Sequence, residues 1–230
     1  SADATQDFAI WAIAGAGGGT GALAGSGSAL DLTTVTTAQL GGIAVADDNI
    51  DVIAHDDTRT GMMAGSVAIG LSGGVGAAVG VILIDKTVTS SVAANSDISA
   101  YGNDTGRAAY DGSNFTAKPN SEGLNVEAAT TQSALALIVS GAGGLYAGIS
   151  GVLALDIVTA NTSAFIGANS KINVVNTRGS DTQDVIVAAT DSTTSSVGAG
   201  AVAVGAVGLS GAVDVGIFKT STSAYIDDGV

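Results

Sequence analysis

The chain has 230 residues, 46% apolar but only 4% aromatic, with 34 glycines, no cysteine and a formal net charge of −14. So few basic side chains argue against nucleic acid and anionic membrane surfaces as partners, since binding there rests on Lys and Arg neutralising phosphates. The absence of cysteine excludes a disulfide framework and thiolate metal sites. The apolar set is mostly Ala, Gly and Val, which suits thin stacked layers better than a rounded core filled by bulky side chains.

In chain order, the first recognisable segment is "IAGAGGGTGALAGSGSALDLTTVTTAQL", which reads as the back half of a repeat. Its "GAGGGTG" resembles a phosphate loop only superficially. No Lys follows and no helix is predicted, so it reads as a turn. Next, "NIDVIAHDD" at Asn49 matches "GLNVEAATT" at Gly123 and "DVIVAATDS" at Asp184. Ile50, Leu124 and Val185 correspond, as do Val52, Val126 and Val187. The offset of 74 residues continues without a gap, pairing "VGVILI" at Val79 with "LALDIV" at Leu153, and "NSDI" at Asn95 with "NSKI" at Asn169. A later copy returns "TSAFI" at Thr162 as "TSAYI" at Thr222. The chain therefore reads as starting inside one repeat and stopping inside another.

Within each copy the hydrophobic period is two, which predicts strands. Val79, Val81 and Leu83 alternate with Gly80, Ile82 and Ile84; Leu153, Leu155 and Ile157 alternate with Ala154, Asp156 and Val158; and Val213, Val215 and Ile217 alternate with Asp214, Gly216 and Phe218. The first set in each copy is aliphatic and is expected inside, with Asp156 and Asp214 facing water. Further along, Ser90/Val92, Ala164/Ile166 and Ala224/Ile226 are expected inside, and Thr89/Ser91, Ser163/Phe165 and Ser223/Tyr225 outside. The fold class expected is all-β, a parallel β-helix (β-solenoid) of about three and a half degenerate repeats. A coil of about 20 residues and about three coils per repeat would give roughly ten coils and a rod of about 50 Å.

The copies differ in one place. From Ile98 to Leu124 the sequence advances 26 residues, but from Ile172 to Val185 only 13. Residues 101–123 are therefore expected to be a surface loop inserted into a single domain spanning 1–230. Repeat proteins carry binding functions on such insertions. Tyr101, Arg107, Tyr110, Phe115 and Lys118 are the candidate binding residues there.

No charged residue falls in 8–30, 60–84, 128–155 or 192–213. Each window is long enough for a transmembrane helix. However, the windows are rich in Gly, Ser and Thr, they lack a flanking Lys/Arg bias or Trp/Tyr belts, and their period is two. No membrane insertion is expected, with an integral membrane protein kept as the least favoured alternative.

The recurring "LxVxA", the Gly/Ala-rich run, "VxVxI", "TSAYI" and "NSxI" resemble the repeats of very large secreted filamentous adhesins of Gram-negative bacteria, including leukotoxin-type proteins exported by type V routes. The resemblance covers nearly the whole chain except the loop after Ile98. It implies a right-handed parallel β-helix, an extracellular or cell-surface location and a stalk or adhesive role, and it brings no catalytic residues with it.

Two other features could carry chemistry. "AHDDTR" holds the only histidine, with Asp56, Asp57 and Arg59. Neither the His nor the Arg recurs in the aligned copies, and the stretch reads as a solvated turn. Acidic clusters at Asp47/Asp48/Asn49/Asp51, Asp181/Asp184 and Asp227/Asp228 offer hard oxygen ligands for Ca²⁺, although the glycine-rich Ca²⁺ nonapeptide is absent. The expectation is a non-catalytic structural and adhesive segment with no cofactor, Ca²⁺ being the one open candidate. Its partners would be a host-cell or neighbouring-cell surface protein or glycan, or further copies in an end-to-end filament. The alternative from another class is a β-helical carbohydrate-active enzyme, a polysaccharide lyase or hydrolase.

Overall fold

The computed structural model describes residues 1–103, 122–175 and 177–230, and the backbone of 107–110 and 115–118. The strands are β1 (Ala2–Gly18), β2 (Gly21–Leu40), β3 (Ile43–Ala46), β4 (Ile50–Gly70), β5 (Gly73–Val92), β6 (Asp97–Ala100), β7 (Arg107–Tyr110), β8 (Phe115–Lys118), β9 (Glu122–Gly143), β10 (Ala147–Ile166), β11 (Lys171–Ile172), β12 (Gln183–Val204) and β13 (Val207–Ile226). No helix occurs among the described residues.

Three parallel sheets stack the same element from successive coils. Their strand orders are β1-β4-β9-β12, β13-β10-β5-β2 and β11-β6-β3. Each coil runs along a long strand, turns sharply, returns along a second long strand and closes through a short third side. This is a parallel β-solenoid, and the sequence repeat is its coil. Ile50 pairs with Leu124, Leu124 with Val185, Val79 with Leu153 and Thr162 with Thr222, so the offsets read from sequence are the strand registers.

Coil length departs from expectation. The long strands run 17–22 residues each, so one coil consumes a whole repeat rather than a third of one. At about 3.3 Å per residue and about 4.8 Å between strands, the molecule is a blade about 65 Å wide and under about 20 Å along its axis, not a rod of ten coils. The N-terminal segment also supplies a first long strand, β1, in addition to the expected back half.

Glycine explains the sharp turn, here called the tip. Gly18, Gly70, Gly144 and Gly205 occupy one register. A Cβ on Gly18 or Gly70 would lie 2.1 Å from the carbonyl oxygen of Gly21 or Gly73 on the returning strand, a distance no side chain tolerates. At the opposite corner each coil needs a left-handed residue. Gly42, Asn95, Asn169 and Gly229 have φ of 83°, 59°, 57° and 80°. Asn enters this region more readily than other side-chain-bearing residues, and Asn95 N–H donates to Ala168 O at 3.0 Å. The repeated "NSxI" is the signature of that corner.

The alternation has period two throughout, but in the tip half its phase is the reverse of the expected one. Leu153, Leu155 and Ile157 do share one side, and it is the outer side; Leu153 is 44% exposed. Ala154, Asp156 and Val158 face inward, with Asp156 only 2% exposed. Likewise Ile82 and Ile84 are buried, while Val79 is exposed. Asp214 pairs with inward Ala154, and so takes the inner side of the last coil. In the base half, away from the tip, the expected phase is found: Ser90, Val92, Ala164 and Ile166 are buried. Ala224 and Ile226 hold the same register, uncovered in the end coil. Among the outward set Ser91 is nonetheless buried, and Phe165 stacks on Tyr225 with ring centroids 5.2 Å apart.

Steric space sets the reversed phase. At the tip the two sheets approach so closely that a Cβ on Gly76 would meet Gly141 O at 2.4 Å, and one on Gly148 would meet Val204 O at 2.6 Å. Only Gly, Ala and Ser fit between them there, so bulky aliphatics are displaced outward. Toward the base the interior widens. Met62, Ile82, Ile84, Ile138 and Val158 form one apolar cluster, and Val52, Val88, Val92, Ile98, Leu124 and Ile166 another.

Candidate functional site

Within the insertion the described residues form a two-stranded hairpin. β7 and β8 pair antiparallel, bringing Arg107 opposite Lys118 and Tyr110 opposite Phe115. Tyr101 lies just after β6, half-buried, its N–H donating to Ala46 O at 3.0 Å. The hairpin's β7 lies against β9. There Asn125, Glu127 and Ala129, on the outer side of the strand, are buried. The backbone thus places four of the five candidate binding residues on one small element beside the base of the blade. The side chains of Arg107, Tyr110, Phe115 and Lys118, and the whole of Pro119, lie outside the described residues.

"AHDDTR" is not a turn. It lies in the middle of β4, so its side chains are divided between the two sides of the sheet. His55 faces outward with Nδ1 3.3 Å from Asp3, and Arg59 pairs outward with Asp57 at 3.1 Å. Asp56 points inward and meets Lys86 at 2.5 Å, both side chains fully buried. Lys86 Nζ also donates to Thr58 Oγ1 at 2.9 Å and to the Thr131 carbonyl at 3.3 Å, and Thr36 Oγ1 donates to Asp56 at 3.1 Å. Burial lowers the Lys86 pKa, opposed by its hydrogen bond and charge interaction with Asp56 and then by the charges of Asp57 and Asp191. A sealed ion pair of this kind ties β4 to β5 across the coil interior, and His55, Asp56 and Arg59 do not converge on a common point. Sequence reading missed Lys86. Its parity with Ser90 and Val92, both expected inside, was the available signal.

Asp156 lies inside the next coil, at the lower margin of the tip half. Burial raises its pKa; a hydrogen bond donated by Ser195 works against this, and the charge of Asp214 adds to it. At the base, Glu122 accepts from Thr182 at 2.5 Å, and its pKa is lowered by hydrogen bonds from Thr182 and Ser180. Of the acidic corners, Asn49 Oδ1 accepts from Gly123 N–H at 2.6 Å, and Asp47 lies 3.9 Å from Arg178. Among the described residues no three His, Asp or Glu side chains converge as a metal site.

A further surface emerges from the reversed phase. On the β13-β10-β5-β2 face, successive outer rows from the tip include Leu23/Val75/Ile149/Leu209 and Val79/Leu153/Val213. The change to polar comes at Asp31, which shares the row of Leu83, and at Asp85/Thr159/Lys219 in the next row. On the opposite face, Trp11, Met63 and Leu137 share a row, and the change comes at Asp7/Arg59/Ser133. Both changes lie at nearly the same depth. The four uncharged windows of the sequence are the four passes of the chain around this tip. Between Val67/Ile69 and Val202/Val204, the glycines Gly141 and Gly143 floor an apolar groove of about 770 Å³. No helix among the described residues is long and apolar enough to cross a membrane.

No family model, curated protein or solved structure matches this chain.

Proposed function

We propose that the chain is a non-catalytic structural and adhesive segment of a secreted or surface-exposed filamentous bacterial protein. Stacked coils carry the inserted hairpin, and copies join end to end. The observation that supports this best is the identity of repeat offset and strand register. Each coil presents to the next the same long parallel edges that hold its neighbours together. At the terminal coil the inner-side residues Phe218 and Ile226, which pair with buried Val158 and Ile166, remain uncovered. An open parallel edge is a template for further strands. The hairpin, with aromatic and basic residues at its paired positions, is the element proposed to meet a partner-cell protein or glycan.

Negative-stain micrographs and sedimentation test the stacking, which requires concentration-dependent growth along the coil axis. Arg107→Ala with Tyr110→Ala tests the hairpin, since the pair is expected to abolish cell or glycan-array binding without loss of the β-type far-UV spectrum. Steady release of reducing or unsaturated ends from a polysaccharide panel would instead establish the carbohydrate-active alternative.

A further inference from the structure

We infer that the tip half of the blade is a hydrocarbon-inserting edge, and that its occupant is the acyl region of a lipid bilayer. The expectation of no membrane insertion rests on windows rich in Gly, Ser and Thr, without a flanking Lys/Arg bias or Trp/Tyr belts, and on a period of two, which argues against membrane helices. With the phase reversed, the outward face in the tip half is the aliphatic one.

Four observations support the inference. First, both outer faces are apolar, and they meet around the tip through Leu71 and Leu145. A second copy of the chain would cover one flat face and leave the other in water; a bilayer covers both faces up to the turns. Second, the band matches its occupant in charge and depth. The chain carries −14, yet all its charges lie outside the four tip windows. From Gly73 to Val81 on one face and Gly61 to Gly70 on the other, the band is about 25–30 Å deep at about 3.3 Å per residue, close to the roughly 30 Å hydrocarbon core, and among the described residues Asp214, on the inner side of the end coil, is the one charge within that depth.

Third, backbone hydrogen bonds run from turn to turn. Leu71 N–H donates to Gly18 O, Leu145 to Leu71 O and Ala206 to Leu145 O, each at 3.1 Å. Satisfaction of every backbone group within the protein is the condition for entering a bilayer. Fourth, the Gly141/Gly143 groove runs along the strands between two aliphatic walls. Strands standing along the bilayer normal would hold an acyl chain there in its own direction. At that depth Thr20, Ser72 and Tyr146, the polar residues of the turns, reach the far headgroups.

The end coils leave strand edges that hydrocarbon does not satisfy. The blade therefore enters lipid as part of a longer stack, and in this respect the inference rests on the stacking proposed above.

The test labels single cysteines with the environment-sensitive NBD fluorophore. Leu153→Cys and Val81→Cys lie in the band; Asn161→Cys and Thr87→Cys lie on the same face below it. With phosphatidylcholine vesicles in a density gradient, the chain is expected to float. The band labels should then shift blue and brighten, and the lower pair should stay water-like. Vesicles rich in phosphatidylglycerol should bind less at low salt, because the rest of the molecule is anionic. Val81→Asp with Leu155→Asp should float roughly tenfold less, or lower still, with an unchanged β-type spectrum, as charges on a lipid-facing strand do. Stacks that stay at the bottom of the gradient with all labels water-like overturn the lipid inference and leave the stacking intact. Band labels that become shielded without vesicles overturn it in favour of a second copy. A chain that neither stacks nor floats overturns both readings.

Discussion

The tip half and the base half of the blade solve the same problem in opposite ways. Both use unbroken strands of period two, and β10 passes from one half to the other without a bulge. At the base the sheets stand apart, so Val92, Ile98, Leu124 and Ile166 fill the interior and Thr, Ser and Asn face outward. At the tip the sheets nearly touch, so Gly74, Gly76 and Ala78 fill the interior and Val75, Val79 and Leu153 face outward. The strand parity is conserved; only the sizes of the two sets exchange. Which side of a strand is the core is therefore a question of intersheet distance before it is one of hydrophobicity. Between the halves lies a polar layer around Lys86 and Asp56, whose buried hydroxyl partners close it off from water.

The largest effect should come from a charge placed on the inner side of the base half. Ile166→Asp leaves an unpaired carboxylate in an apolar interior, a cost of several kcal/mol, and should abolish the cooperative thermal transition. Breaking the polar layer comes next. Lys86→Met strands Asp56 and should cost about 3–5 kcal/mol in chemical denaturation, and replacing Asp56 by Leu as well should recover much of that loss.

Smaller effects sharpen the comparison. Asn95→Ala puts an unfavourable left-handed backbone at one corner and should cost about 1–2 kcal/mol, with Asn95→Gly close to neutral. Asp156→Asn should stabilise, and only above acid pH. Asp156 has a raised pKa, so its folded form holds a proton where the unfolded chain has lost it. Its contribution to stability is full below the unfolded value of 3.8 and is lost as pH rises through the folded value. Melting curves of variant and parent should coincide near pH 3 and separate toward pH 7. Smallest of all, Leu153→Asp on the outer side of the tip should move stability in water by under about 0.5 kcal/mol.

Much of this was legible in the residues. Coil pairing obliges equivalent positions to stack, so the offsets aligning Val79 with Leu153 and Thr162 with Thr222 were already strand registers, and the tip glycines and corner asparagines marked the turns. The coil length was not legible, because a period of two shows that a segment is a strand but not where a strand of some 20 residues ends. The phase was obscured because Val81/Ile82 and Leu83/Ile84 are aliphatic on both sides of the strand. One clue was present. Odd residues inside at 153–157 and outside at 163–165 cannot coexist on one unbroken strand. Pocketing of Lys86 and Asp56 required the fold, since the two are 30 residues apart and meet only across the coil.

The central claim, an inside-out tip, is tested most directly by cysteine accessibility, for which a chain without native cysteine is well suited. Single cysteines at 153, 155 and 157, and at 154, 156 and 158, would be reacted with a water-soluble maleimide under native, lipid-free conditions. The structure requires fast labelling of the odd set and strong protection of the even set, with the same parity carried through to protected 164 and 166. Protection at 153, 155 and 157 with free reaction at 154, 156 and 158 would contradict it.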